Sequence, residues 1–366
     1  MANTPNGRRI FVERGNAVVT ELITKSKNFY IYGAQVVAYG AFNAILRLTG
    51  KKPTAFLVSS LTQNPRLIDG IAVTTPEAAD PAAPIIVAVT ELLQNEIATS
   101  LKAQGFSNLF LLNAHEEHLL MSAYFADMGK FPLLDPMLER RDPPDFALYE
   151  ICNHRDKPLT APPNLRPFEH PLQAGAALTD KRIAALTDDT GENISAKNKQ
   201  YCEMSAVYWV WKNTTHDWIG IEHYRRHLLV KPSMLTEDVD AILPLPYICR
   251  LNTLTQFRRF VSEDVLTVLL QTLREMEPRM FERYLSVLRD RYQYTYNLLC
   301  AKRSVFDDYC AWFFRITGRM EEMGGVVPEI GETRALSYVA EVLTNLYFMS
   351  RQNVLNLRHA EKAIFV

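Results

Sequence analysis

Four short, unbroken apolar runs mark the first third of the chain: FYIYGA (29–34), TAFLVS (54–59), PIIVAVT (84–90) and LFLLN (109–113). A strand with one wet face alternates apolar and polar side chains, whereas a strand covered on both faces has no polar position to alternate with. Such runs therefore demand a parallel sheet with helices on either side. The spacers supply them: helical spacing of apolar residues covers 35–48 and 91–104, the latter stopped by Gly105, with a short helical connection over 65–80. This βαβαβαβ order predicts a small doubly wound domain.

The first strand runs into GAQVVAYG (33–40), a partial dinucleotide fingerprint. Gln35 stands where a second glycine would let the backbone approach a pyrophosphate, and the second strand closes on Ser59 and Ser60 instead of an acid for the ribose. A nicotinamide cofactor is not expected, and an NAD-dependent sugar-modifying role fails on the same positions. KFPLLDPMLERRDPPD (130–145) holds four prolines and a charge cluster, the composition of a linker. With 366 residues, two domains are expected, a Rossmann-like one of unassigned ligand over 1–140 and a second over 141–366. In the second, ALYEICNH (147–154) opens a new strand, and 262–350 reads as mainly helical from EDVLTVLLQTLREM, DDYCAWFFRITGRMEEM and TRALSYVAEVLTNLYFM.

The formal net charge of −1 leaves no global footprint for nucleic acid or an anionic membrane, so any basic function must be local. Cys152, Cys202, Cys249, Cys300 and Cys310 show no CxxC spacing, which argues for reduced thiols and against a zinc site. The opening MANTPNGRRIFVERGN has no apolar core of a secretory signal, and no stretch nears the roughly 18 apolar residues of a membrane span. A cytoplasmic protein is expected.

Local basic charge is concentrated in HDWIGIEHYRRHLL (216–229), where an apolar strand runs into His223, Tyr224, Arg225 and Arg226. Ligand crevices of open α/β sheets lie at the carboxyl ends of strands, and two guanidiniums there suit a diphosphate or a carboxylate. Otherwise the pair serves as a local ion-pair cluster. DDTGENISAKNKQYCE (188–203) offers Asp188, Asp189, Asn193, Asn198 and Glu203, which fit a hydroxyl-rich ligand or a helix-capping turn. Tyr208, Trp209 and Trp211 share one apolar helix, where most aromatics are core. His154 ends a strand, and His115 and His118 lack metalloprotease spacing. The Asp-x-Asp triplet, Asp238-Val239-Asp240, precedes the strand AILP and so sits at the wrong end of it for a metal-bound diphosphate. Cationic side chains can offset that charge instead.

LQAGAAL (172–178), DDTGENIS (188–195), KNKQYCEMSAVYWVWKN (197–213), WIGIEHYRRHL (218–228), AILP (241–244), YNLLCAKRSVFDDYCAWFF (296–314) and TRALSYVAEVL (333–343) occur in an order that resembles a bacterial family of glycosyltransferases of capsule, exopolysaccharide and O-antigen biosynthesis. Its HYRR-bearing domain was long catalogued as a domain of unknown function. The resemblance covers about 147–366. It departs at Asn297-Leu298-Leu299, where relatives read NMF, and at Glu341-Val342-Leu343, where they read ERL.

The resemblance implies an α/β fold: the N-terminal Rossmann-like domain followed by a GT-A-like glycosyltransferase domain with a mainly helical C-terminal part. It implies a nucleotide-sugar donor, UDP-hexose or UDP-galactofuranose, and a glycan or lipid-linked glycan acceptor, with no divalent metal. Peripheral association with a membrane assembly complex at the inner face of the cytoplasmic membrane is compatible with this. The donor site is expected from His154, Gly175, Asp188, Asn193, Tyr208, Trp211, His223, Tyr224, Arg225 and Arg226. The base is expected among Asp189, Glu203 and Glu341, in that order. The competing reading is a non-catalytic glycan-binding or scaffold component.

Overall fold

A computed structural model describes residues 18–323 and 335–366. Residues 1–17, read above for a leader, and the start of the TRALSYVAEVL stretch lie outside the described residues.

The apolar runs become β1 (Tyr30–Tyr32), β2 (Ala55–Leu57), β5 (Ile85–Val87) and β6 (Leu109–Leu111), parallel neighbours in a six-stranded sheet ordered β3-β4-β2-β1-β5-β6. Their lack of alternation has the expected cause. Ile31, Phe56 and Ile86 enter one core, while Tyr30, Tyr32, Leu57, Ile85 and Val87 enter another on the opposite face. Burying a Val, Leu, Ile or Phe contributes about 1.5–3 kcal/mol, so each face stabilises the strand. The helices α1 (Val36–Thr49), α2 (Glu91–Ala103) and α3 (Ala114–Asp127) follow β1, β5 and β6.

The expected helical connection at 65–80 is instead a hairpin, β3 (Leu67–Ile68) and β4 (Ile71–Thr74), whose second strand pairs parallel with β2 while β3 forms the sheet edge. Asp69 and Gly70 form its two-residue loop with φ of 47° and 82°. An Asp-Gly pair suits this turn because both central residues must be left-handed. Only a 3-10 turn at Pro76–Ala78 remains of the helix.

A nine-stranded mixed sheet follows. Its path runs β16 (Leu357–Ala360), β12 (Ala241–Pro244), β15 (Leu299–Lys302), β10 (Trp218–His223), β7 (Phe146–Cys152), β8 (Glu169–Gln173) and β9 (Leu186–Thr187). Strands β10, β7, β8 and β9 are mutually parallel. Alternation along β7 and β10 sends Ala147, Tyr149, Ile151, Ile219 and Ile221 into the large helical core, and Phe146, Leu148 and Trp218 into a smaller one on the other face. The C-terminal part is mainly helical, as expected, but it also contributes strand. Among α6 (Thr253–Phe257), α7 (Glu263–Met276), α8 (Phe281–Arg289), α9 (Arg303–Glu322) and α10 (Ala335–Ser350) lies β15, a central strand.

Strand β10 turns at Tyr224-Arg225 into β11 (Arg226–Leu228), with His223 opposite Arg226. Strand β11 then pairs with β17 (Lys362–Ile364). The two sheets meet through shared packing. Tyr247 and Ile248 of β13 enter the core beside α1, and Lys362 makes a buried ion pair of 3.3 Å with Glu117 of α3. No helix among the described residues is long and apolar enough to cross a membrane, and all five cysteines are free thiols.

Candidate functional site

The carboxyl ends of β7, β8 and β10 open into a cavity of about 570 Å³, lined among others by Asn153, Arg155, Asp156, Asn198, Lys199, Glu203 and His223. A larger groove of about 860 Å³ lies at the amino end of β16 and along α8, the wrong end of the parallel strands for a crevice of this fold.

The loop after β7 is built on two reciprocal turns. Asn153 N donates to Asp156 Oδ2 at 2.6 Å, and Arg155 N donates to Asn153 Oδ1 at 3.0 Å. Burial pushes the Asp156 carboxyl up to about 6, against that backbone hydrogen bond and the attraction of Arg225. Arg225 does not itself line the cavity; it acts electrostatically on Asp156, and its guanidinium lies 4.9 Å from the Tyr224 ring centre. Arg226 turns the other way. It covers Tyr296 at 4.1 Å and lines a small adjoining cavity with Glu91, Glu117 and Tyr247. His223 lines the main cavity, its ring 4.7 Å from that of Tyr224. His154 lies beyond the strand end, its imidazole held below the ordinary value by loss of water and then by Arg155 and Lys181.

The expected base residues separate. Asp189 pairs with Arg182 at 2.8 Å and does not line the cavity. Glu203 does line it, and its Oε1 accepts from Asn297 Nδ2 at 2.8 Å. Asn297 is itself fixed by Thr344 of α10 through a 2.9 Å bond to its Oδ1. Glu341 lies behind, accepting from Tyr296 N at 3.3 Å. Burial, then repulsion from Glu203, pushes its carboxyl up to about 7, with Tyr296 N and Arg226 opposing. Of the three, Glu203 alone lines the cavity.

Asp188 has a different job from contacting donor. It is fully buried, and its oxygens accept from Gly175 N (2.9 Å), Ala176 N (3.0 Å), Ser195 Oγ (2.5 Å) and Ser205 Oγ (2.6 Å). No acceptor capacity is left for a ligand. Gly175 takes φ 69°, and a Cβ there would meet Asn198 Oδ1 at 2.5 Å, so glycine is required to seat the cavity-lining Asn198. Asn193 is an exposed turn residue whose Oδ1 accepts from Ser195 N at 3.2 Å. Tyr208 and Trp211, on α5 (Met204–Asn213), do not line the cavity. Trp211 stacks on Phe314 at 5.8 Å, and Tyr208 donates to Glu192 at 2.8 Å. Both Asp240 oxygens of the Asp-x-Asp triplet are engaged, with Lys302 Nζ at 3.0 Å and Asn356 N at 2.8 Å.

Asp156, Arg155 and Lys199 were not among the expected site residues. The Asn-x-x-Asp spacing of Asn153 and Asp156 directly after an apolar strand was the available signal for a built loop.

A family model described as a domain of unknown function (DUF4422) matches residues 150–352. The chain belongs to this family. Within the DUF4422 match lie β7 from Glu150 onward, the HYRR hairpin and every residue lining the main cavity. Among solved structures, the fold is similar to that of the WbbM bifunctional glycosyltransferase in its apo form. The TM-score is 0.54 at 23% identity, over 60% of this chain and 45% of that one. The chain thus spans less than half the length of that structure, and the likeness is one of fold. No curated protein matches the chain.

Proposed function

We propose that this DUF4422 protein is a glycosyltransferase that moves a sugar from a nucleotide-sugar donor, UDP-hexose or UDP-galactofuranose, to a growing bacterial surface glycan. One observation carries the reading. A single cavity of about 570 Å³ at the carboxyl ends of three parallel strands combines cations suited to a diphosphate with carboxylates suited to an acceptor hydroxyl. The fold likeness to a bifunctional glycosyltransferase supports it.

For an inverting displacement, the acceptor oxygen attacks the anomeric carbon as the bond to the diphosphate breaks. The hydroxyl proton passes to Glu203, which Asn297 orients, and the departing negative charge falls on the cavity cations Arg155 and Lys199, with Arg225 acting from beyond Asp156. These cations, rather than an exchangeable metal, offset the diphosphate, so added Mg²⁺ or Mn²⁺ leaves UDP affinity unchanged. A lipid-linked acceptor would bring the protein to the inner face of the cytoplasmic membrane.

The test is a thermal-shift panel of UDP-, GDP-, CMP- and dTDP-sugars, followed by an assay for released UDP with glycan acceptors. A rise in Tm with UDP-sugars and acceptor-dependent UDP release support the proposal. No shift with any nucleotide sugar overturns it, and binding without turnover favours the glycan-binding component.

A further inference from the structure

Beneath the HYRR hairpin, on the sheet face away from Ile151 and Ile221, three carboxylates surround one imidazole. Glu150 and Glu222 are register partners on β7 and β10, Glu169 opens β8, and His227 comes from β11. His227 Nε2 lies 3.0 Å from Glu150 Oε2, while Nδ1 lies 3.3 Å from Glu222 Oε1 and 3.6 Å from Glu169 Oε1. Glu222 is 1% exposed and His227 3%. Even so, Glu222 Oε1 and His227 Nε2 have no hydrogen-bond partner, because these contacts are close but not aligned for one.

We propose that Glu150, Glu222 and His227 bind a divalent transition-metal ion such as Zn²⁺ or Mn²⁺, separate from the donor cavity. One ligand atom from each lies within 4.8 Å of the others. That spread is what ligand atoms on one ion with metal–ligand bonds of about 2.0–2.2 Å can reach after small side-chain rotations, and His227 Nε2 already lies 3.0 Å from Glu150 Oε2. Two carboxylates and an imidazole are a ligand set for first-row divalent ions, with water completing the sphere. With Nε2 on the ion, Nδ1 faces the Glu169 carboxylate at 3.6 Å, the kind of outer partner that fixes tautomer and orientation in histidine metal sites.

Charge points the same way. Arg166 is committed to Glu169, its Nε donating to Oε1 at 2.6 Å. Glu150, Glu169 and Glu222 thus share a single guanidinium and a single imidazole as their side-chain partners in this pocket. A divalent ion would offset carboxylate charge in this desolvated pocket, where charge without a counter-charge is costly. None of the three ligands lines the donor cavity, so the ion would tie β11 to β7 and β10 and hold the turn bearing Arg225.

The experiment is elemental analysis of the full chain purified without a polyhistidine tag, paired with melting curves before and after chelator dialysis. One equivalent of a divalent ion per chain is expected, with a fall of several degrees in Tm on chelation that Zn²⁺ or Mn²⁺ reverses. Glu150→Gln and Glu222→Gln should lose both the ion and the chelator sensitivity. If those variants do not fold, Co²⁺ added to the dialysed wild type should give visible ligand-field absorption that Zn²⁺ abolishes. A wild type with only trace metal and no Tm response to Zn²⁺ or Mn²⁺ overturns the proposal, as does equal metal content in Glu150→Gln.

Discussion

Replacing Asp188 by asparagine asks whether the DDTGEN stretch contacts ligand or is hung on a buried carboxylate. Each Asp188 oxygen accepts one backbone N–H, from Gly175 or Ala176, and one serine hydroxyl, from Ser205 or Ser195. Asparagine keeps the shape but turns one oxygen into a donor. The serine on that side can rotate to accept, whereas the backbone N–H cannot. One charge-assisted bond, about 1.5–3 kcal/mol, is lost, and a stranded buried N–H costs a further 1–3 kcal/mol. Asp188→Asn should therefore destabilise the protein by about 3–5 kcal/mol, read as a lower urea midpoint at unchanged m. A ligand-contact role gives the opposite pattern, with lost UDP affinity and an unmoved midpoint. A stability loss below about 1 kcal/mol would refute the reasoning.

Glu203→Gln should lower turnover at least ~100-fold with little change in Tm, while Asp189→Asn should cost less than ~10-fold, because Asp189 is paired with Arg182 away from the cavity; equal losses in a UDP-release assay would reverse that order. Arg225→Ala should weaken UDP binding by roughly 10–150-fold in calorimetric titration, with Arg225→Lys recovering only part, since an ammonium lacks the planar fork. Arg226→Ala should affect UDP less, because its guanidinium is stacked on Tyr296. The Glu341 carboxyl is raised by burial first and then by Glu203, to about 7 from 4.5. Between those pH values the folded state holds the extra proton, so stability falls as pH rises through the window, by on the order of 3 kcal/mol or less. Glu341→Gln should flatten that slope in urea titrations at stepped pH, and an unchanged slope would count against the buried position of Glu341.

The first sheet was legible in its strands because both faces are covered, which suppresses alternation at Ile85–Val87 and its neighbours. The hairpin at Leu67–Thr74 is also written in the sequence, in Asp69-Gly70, but it runs against the helix–strand rhythm of the segments around it. Strand β15 was hidden for another reason. Leu299-Cys300-Ala301 is too short to outweigh the helical patterns around it, and only pairing with β10 and β12 makes it a strand.

In the site, the HYRR cluster showed through its position at a strand end. Adjacent strand residues face opposite sides, so the divergence of Arg225 and Arg226 was legible as well, but the ring that Arg226 covers was not, because Tyr296 approaches from far along the chain. Asp188 and Asp189 look alike in sequence. What separates them is the convergence of Gly175, Ser195 and Ser205 on one of them, a three-dimensional event with no local signature.

The pairing of β17 with β11 has a consequence for how the protein is made. On the ribosome β11 emerges long before its neighbour β17, and β15, which closes the other side of β10, also comes late. Until then the arginine hairpin is an unsatisfied strand edge beside apolar surface, a template for pairing with another chain. Long-range closures of this kind are slow, since loop entropy is lost before contacts form. Heterologous synthesis should give more active protein when translation and growth temperature are lowered, as the nascent edge then meets fewer competitors before its own last strand arrives.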